Sequence, residues 1–200
     1  MQIAATRRFF ILLLFCCLAC PASAKEVTLS DGAQKIREKF IELRNNPDNN
    51  NLWEGYLKIF PRRKTDFKRI FDPDDFSELY KNSHEYISIF NGAPELKRKE
   101  VFELVVSITK EGSPGCCDAW SALHTVAVTY VLQDTRTFVS LLKPLKTQER
   151  KNVVKFFADK ENHRVFKDYQ AIIDNLKNLN EQEIVKEFER ARALRMKAKH

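Results

Sequence analysis

Along the stretch "HRVFKDYQAIIDNL" the apolar residues Val165, Phe166, Tyr169, Ile172, Ile173 and Leu176 recur at intervals of three and four. That spacing puts them on one stripe of a 3.6-residue helix and scatters them over both faces of a strand. It therefore selects a helix with one side packed against something else. The same rhythm runs through most of the chain. "SDGAQKIREKFIELRNNP" aligns Ala33, Ile36, Phe40 and Leu43 behind a capping Ser30 or Asp31 and stops at Asn45-Asn46-Pro47. "NLWEGYLKIFP" repeats the scheme with Leu52, Trp53, Tyr56, Leu57 and Phe60 ahead of Pro61. "FDPDDFSELY" offers Asp72 as a cap with Pro73 at the first helical position, and "SHEYISIFNG" stops at Asn91-Gly92.

The second half continues the series. "APELKRKEVFELVVSITKEG" begins at Pro94, pairs Glu95 with Lys99 one turn on, buries Val101, Leu104, Val105 and Ile108, and ends at Gly112. "CDAWSALHTVAVTYVLQ" is apolar on nearly every side and is expected to be the central helix. "TRTFVSLLKPL" and "TQERKNVVKFFADK" follow. In the closing "NEQEIVKEFERARALRMKAKH", Asn180 and Glu183 read as a capping pair, and Arg195, Lys197 and Lys199 sit at the negative end of the helix dipole.

Only "HTVAVTYVL" and "VFELVVSIT" compete as strands, being rich in β-branched residues. They are flanked by helix signals, no third strand offers itself, and an isolated two-stranded sheet is marginal. The fold class expected is all-α: a multi-helix bundle or a short α-solenoid of armadillo- or HEAT-like helix pairs. It forms one domain over residues 25–200, with N-terminal helices in 31–92 and helix-pair repeats in 94–200. The repeat idea comes from "LKRKEVFELV" (Leu96–Val105) and "QERKNVVKFF" (Gln148–Phe157), which align at an offset of 52 residues. Any two amphipathic helices that begin with basic residues look alike in this way, and an irregular multi-helix bundle is the alternative.

The first 24 residues read as a cleaved export signal. Arg7 and Arg8 precede the apolar run Phe9–Ala19, and Ala22-Ser23-Ala24 supplies a small-x-small cleavage site before Lys25. The apolar run is too short to cross roughly 30 Å of hydrocarbon, which takes about 20 helical residues. "TRRFFI" resembles a twin-arginine signal, but so greasy a core favours the general secretory route. "CLAC" is a poor lipoprotein box, with Cys17 where an aliphatic residue is expected and Pro21 after Cys20. The chain is expected in the periplasm or the secreted space. Its formal charge of +7 includes Arg7 and Arg8, so the exported form is only mildly basic and nucleic acid is not an expected partner.

Cleavage discards Cys16, Cys17 and Cys20 and leaves the adjacent pair Cys116 and Cys117 in "GSPGCCDAW". Neighbouring Cα atoms lie about 3.8 Å apart, against roughly 5.5–6 Å for an ordinary disulfide, so a bond between the two is strained and staples almost nothing. Buried core thiols, a bond to another chain, a redox pair and metal ligation with His124 remain as alternatives. Zinc needs three or four ligands and no paired spacing supplies them, so no metal or cofactor is expected. "HEYIS" at His84 has Ser88 where the zinc-protease motif requires a second histidine. His124 reads as a hydrogen-bonded core residue; on a continuous helix it stands about 10 Å from Cys117, too far for a dyad. His163 with Glu161 or Asp168 reads as surface charge.

One charged cluster has a stronger profile. Lys58, Arg62, Arg63, Lys64, Lys68 and Arg69 gather around Pro61, interleaved with Phe60, Phe67 and Phe71 and followed by Asp72, Asp74, Asp75 and Glu78. With the rings outward this is a binding surface for an acidic protein; with the rings inward it is a solvated loop over the core. No phosphate loop, nucleophile elbow or paired-carboxylate signature occurs. The function expected is an exported helical interaction module, an adaptor or neutralising partner, without catalysis. A thiol-dependent redox protein using Cys116 and Cys117 and a structural envelope component are the alternatives. The basic C-terminal helix also suggests weak peripheral contact with an anionic membrane.

Overall fold

A computed structural model describes residues 30–71, 79–112, 118–158 and 164–197. The expected signal peptide, the Asp72-Pro73 start, His163 and both Cys116 and Cys117 lie outside the described residues. Within them the chain forms ten α-helices: α1 (Asp31–Asn45), α2 (Asn50–Ile59), α3 (Lys64–Phe71), α4 (Ser83–Ser88), α5 (Glu95–Thr109), α6 (Asp118–Gln133), α7 (Thr135–Leu142), α8 (Thr147–Ala158), α9 (Arg164–Asn178) and α10 (Gln182–Lys197). Short 3₁₀ turns at Tyr80–Asn82 and Ile89–Gly92 flank α4. No strand occurs among the described residues, and the all-α fold is a multi-helix bundle.

The caps explain where the helices start. The Ser30 hydroxyl accepts the Ala33 N–H at 3.4 Å, and the Asn49 side chain accepts those of Asn51 and Leu52. The Asp134 carboxylate takes the Thr137 N–H at 3.0 Å at the head of α7. Hydrogen bonds from the Thr137 side chain and backbone hold that carboxyl below the usual aspartate range. α5 and α6 are helical despite their β-branched content. Thr109, Thr125 and Thr129 each donate their hydroxyl to a carbonyl four residues back, so these β-branched side chains are satisfied within the helix.

Asn180 does something other than cap α10. Its φ is 59°, its N–H bonds to the Lys177 carbonyl, and the next N–H, from Glu181, bonds to Leu176. This is the left-handed stop of α9, a role open to asparagine because its short polar side chain tolerates positive φ. α10 instead starts behind Glu181, whose carbonyl accepts the Val185 N–H.

α6 is central, packing against α4, α5, α7, α8 and α9. Eight of its residues are buried, among them Trp120, Leu123, Val126 and Tyr130, while Ser121 and Thr125 face solvent. α8 lies against α10 and α1 against α2. One continuous apolar core runs from Ala33 to Phe188. Two tyrosines tie the α4 region into it: the Tyr56 hydroxyl donates to the Tyr86 carbonyl at 2.7 Å, and that of Tyr130 to the Phe90 carbonyl. Burial pushes the Tyr130 phenol up to about 12, so it stays a donor throughout the physiological range. Arg150 grips Glu187 through two nitrogens at 2.7–3.1 Å, joining α8 to α10.

Candidate functional site

The bend between α2 and α3 begins with a proline. Pro61 disfavours helical geometry at the residue before it, and Phe60 accordingly turns extended (φ −66°, ψ 140°) and ends α2. The chain then re-enters a helix at Lys64, where the sequence pattern predicts a loop. Phe60, Phe67 and Phe71 all point inward, at 2 %, 0 % and 0 % exposure. Phe60 meets Phe90 at 5.0 Å, Tyr56 and Phe71 at 5.6 Å, and Phe67 at 6.4 Å between ring centres. The cations are therefore the solvent side of a bend whose underside is a cluster of rings. The inward-facing alternative holds for Phe60, Phe67 and Phe71, and none of the three contributes to a contact surface.

The structure divides the six basic residues. Arg63 and Lys64 converge on Glu111 at the end of α5: its carboxylate accepts the Lys64 backbone N–H at 3.1 Å and lies 4.0 Å from the Arg63 guanidinium, while the Lys64 amine approaches the Glu111 carbonyl at 3.4 Å. Arg69 turns back to Asp66 at 4.0 Å. Lys68 is half-buried and engaged in an interaction of its own. Lys58 and Arg62 are exposed, and neither forms an ion pair among the described residues. Ion pairs this exposed are worth at most about 1 kcal/mol, so a partner carboxylate can displace them.

Residues far away in sequence complete the corner. Gly112 follows α5 with φ +97°, a conformation that favours glycine. A Cβ there would lie 3.8 Å from the Asn152 amide and 3.9 Å from the Lys64 amine, so α3, the end of α5 and α8 meet at this point. Asn152 fastens the junction by donating to the Lys110 carbonyl at 2.8 Å. Nothing in the linear sequence links Asn152, Lys110 and Glu111 to the Pro61 cluster, because their proximity exists only once α5 and α8 have packed.

Other sequence candidates are structural or dispersed. His124 packs its ring against Phe156 at 5.2 Å and Phe157 at 6.2 Å, as part of the core lining. His84 is exposed on the short helix α4. On α10, Leu194 and Met196 are 61 % and 51 % exposed. They stand two positions apart, about 200° around the helix, so they form no single apolar stripe. No helix among the described residues is long and apolar enough to cross a membrane. A cleft of about 300 Å³ opens between α9 and α10, lined by Tyr169, Ile173, Lys177, Glu189, Arg192 and Met196. Its charges are engaged internally, Lys177 lying 4.0 Å from Glu189 and Arg192 stacking 4.7 Å over the Tyr169 ring. Tyr169, pushed up to about 12 chiefly by burial, has its hydroxyl sealed from solvent below the cleft.

No protein-family model matches the chain, nor does any curated protein or solved structure. What the fold defines is an all-α bundle, with a basic corner at the α2–α3 bend.

Proposed function

We propose that this domain acts by binding, as an exported interaction module that presents the basic corner at Lys58, Arg62, Arg63 and Lys64 to an acidic surface of a protein partner. The observation that carries this reading is the pairing of exposed cations, two of them without a described counter-charge, with a buried aromatic underside. Cations on a fixed backbone lose less freedom on binding than cations on a mobile loop, so more of their attraction survives as affinity. Export sets the partner outside the cytoplasm, in keeping with the leader at residues 1–24.

The test is charge reversal at the two exposed arginines, Arg62→Glu with Arg63→Glu, leaving Lys64 to hold the start of α3. Helicity by circular dichroism should be unchanged, and capture of partners from the native compartment should weaken by about tenfold or more, as expected for charge placed against like charge. Undiminished capture by the folded double variant would remove this corner as the binding surface.

A further inference from the structure

We propose that the basic corner is one end of a longer surface, continued by the outer face of α8, and that its partner offers an extended acidic segment of polypeptide. This builds on the binding role proposed above and specifies what is bound. The continuity comes from the junction at Gly112, where the Lys64 amine and the Asn152 amide lie on either side of the same backbone position. Asn152 belongs to α8, and on that helix Gln148, Asn152 and Lys155 fall on one stripe at intervals of four and three. Gln148 donates to Asn152 at 3.1 Å, so the stripe is a connected polar row. Lys151 and Lys155, one turn apart, are both exposed on this outer face, and neither forms an ion pair among the described residues. Cations thus lie on both sides of the Gly112 junction, Arg62, Arg63 and Lys64 at the bend and Lys151 and Lys155 on α8.

The chemistry of the row selects its occupant. Arg63 and Lys64 meet at Glu111 while Lys151 and Lys155 stand on a different helix, which suits a series of carboxylates better than a single small anion. An extended strand advances about 3.4 Å per residue, so a segment of several residues carries a series of carboxylates past both groups of cations. A lipid surface fits less well. Membrane-binding faces combine cations with exposed apolar side chains that enter the acyl boundary. The large hydrophobics exposed among the described residues are Ile41, Leu96, Leu194 and Met196, and all lie on helices other than α3 and α8. Glu111 is the acidic member of the row. It already occupies the Lys64 N–H and faces Arg63, where a carboxylate of the partner would sit.

The test is fluorescence anisotropy on the exported form, with labelled oligoglutamates of about 12 residues, spanning roughly 40 Å extended, and of about four, spanning roughly 13 Å. Phosphatidylserine vesicles serve as a second probe. Lys151→Glu with Lys155→Glu should weaken the long peptide about tenfold and the short one distinctly less, because the long peptide engages the cations of the bend and those of α8 at once. Glu111→Gln keeps an acceptor for the Lys64 N–H and should tighten both peptides severalfold. If the α8 pair has no effect on the long peptide while Arg62→Glu with Arg63→Glu abolishes its binding, the extended surface is wrong and the basic corner stands. If neither pair matters, both fall. Tighter binding to the vesicles than to the long peptide would overturn the choice of a polypeptide partner.

Discussion

Trp120→Ala lowers the stability of the domain by about 3–5 kcal/mol, the range for losing a buried tryptophan. Trp120 is only 7 % exposed and stands between two groups of rings. Its ring meets Phe156 of α8 at 4.7 Å and Phe67 of α3 at 6.1 Å, both in T-shaped contacts. Among the described residues it is the aromatic bridge from the cluster under the α2–α3 bend to the cluster of Phe138, Phe156, Phe157 and Phe188. Deleting it opens a cavity where α3, α6 and α8 meet, beneath the proposed binding surface. Chemical denaturation checks the magnitude, and amide hydrogen exchange checks the location. Protection should fall most over residues 64–71 and least in α9 and α10. A loss below about 1 kcal/mol, or one spread evenly over the chain, would show that α3 is held by something other than this stack.

Phe60→Ala should cost a similar 3–5 kcal/mol, for a related reason. At 2 % exposure Phe60 touches four other rings drawn from α2, α3 and the 3₁₀ turn that carries Phe90. Phe60→Leu keeps most of the volume and should lose no more than about 1.5 kcal/mol. Leu96→Ala, at a side chain 81 % exposed, should stay within about 0.5 kcal/mol of the parent. Thermal unfolding of the three variants separates packing from mere hydrophobicity: equal losses for Phe60→Ala and Leu96→Ala would contradict the burial described here.

Both predictions concern a region that patterning read only in part. The stripe Ala33, Ile36, Phe40 and Leu43 and the stripe Tyr169, Ile172, Ile173 and Leu176 are buried as their spacing requires. Long helices with one apolar face announce themselves because each turn repeats the signal. α3 has only eight residues, four of them charged, so its three buried side chains Phe67, Ile70 and Phe71 were lost among lysines and arginines. Asn180 was misread for a different reason: asparagine both begins and ends helices, and only its backbone angle tells which. The basic corner itself was visible, since its cations are neighbours in the chain. Its other half was not. Glu111 lies 47 residues from Lys64, and Asn152 lies 42 residues from Lys110; only the packing of α5 against α8 brings them together.

The most direct measurement is site-specific photocrosslinking in cells making the full chain, with the crosslinker at Thr65, exposed on α3 amid the cations, and in a second protein at Gln34, exposed on α1. A domain that works through its basic corner should yield adducts from Thr65 whose crosslinked peptides are rich in aspartate and glutamate, and should yield none from Gln34. Adducts from Gln34 alone, or acidic and basic peptides in equal measure from Thr65, would contradict it.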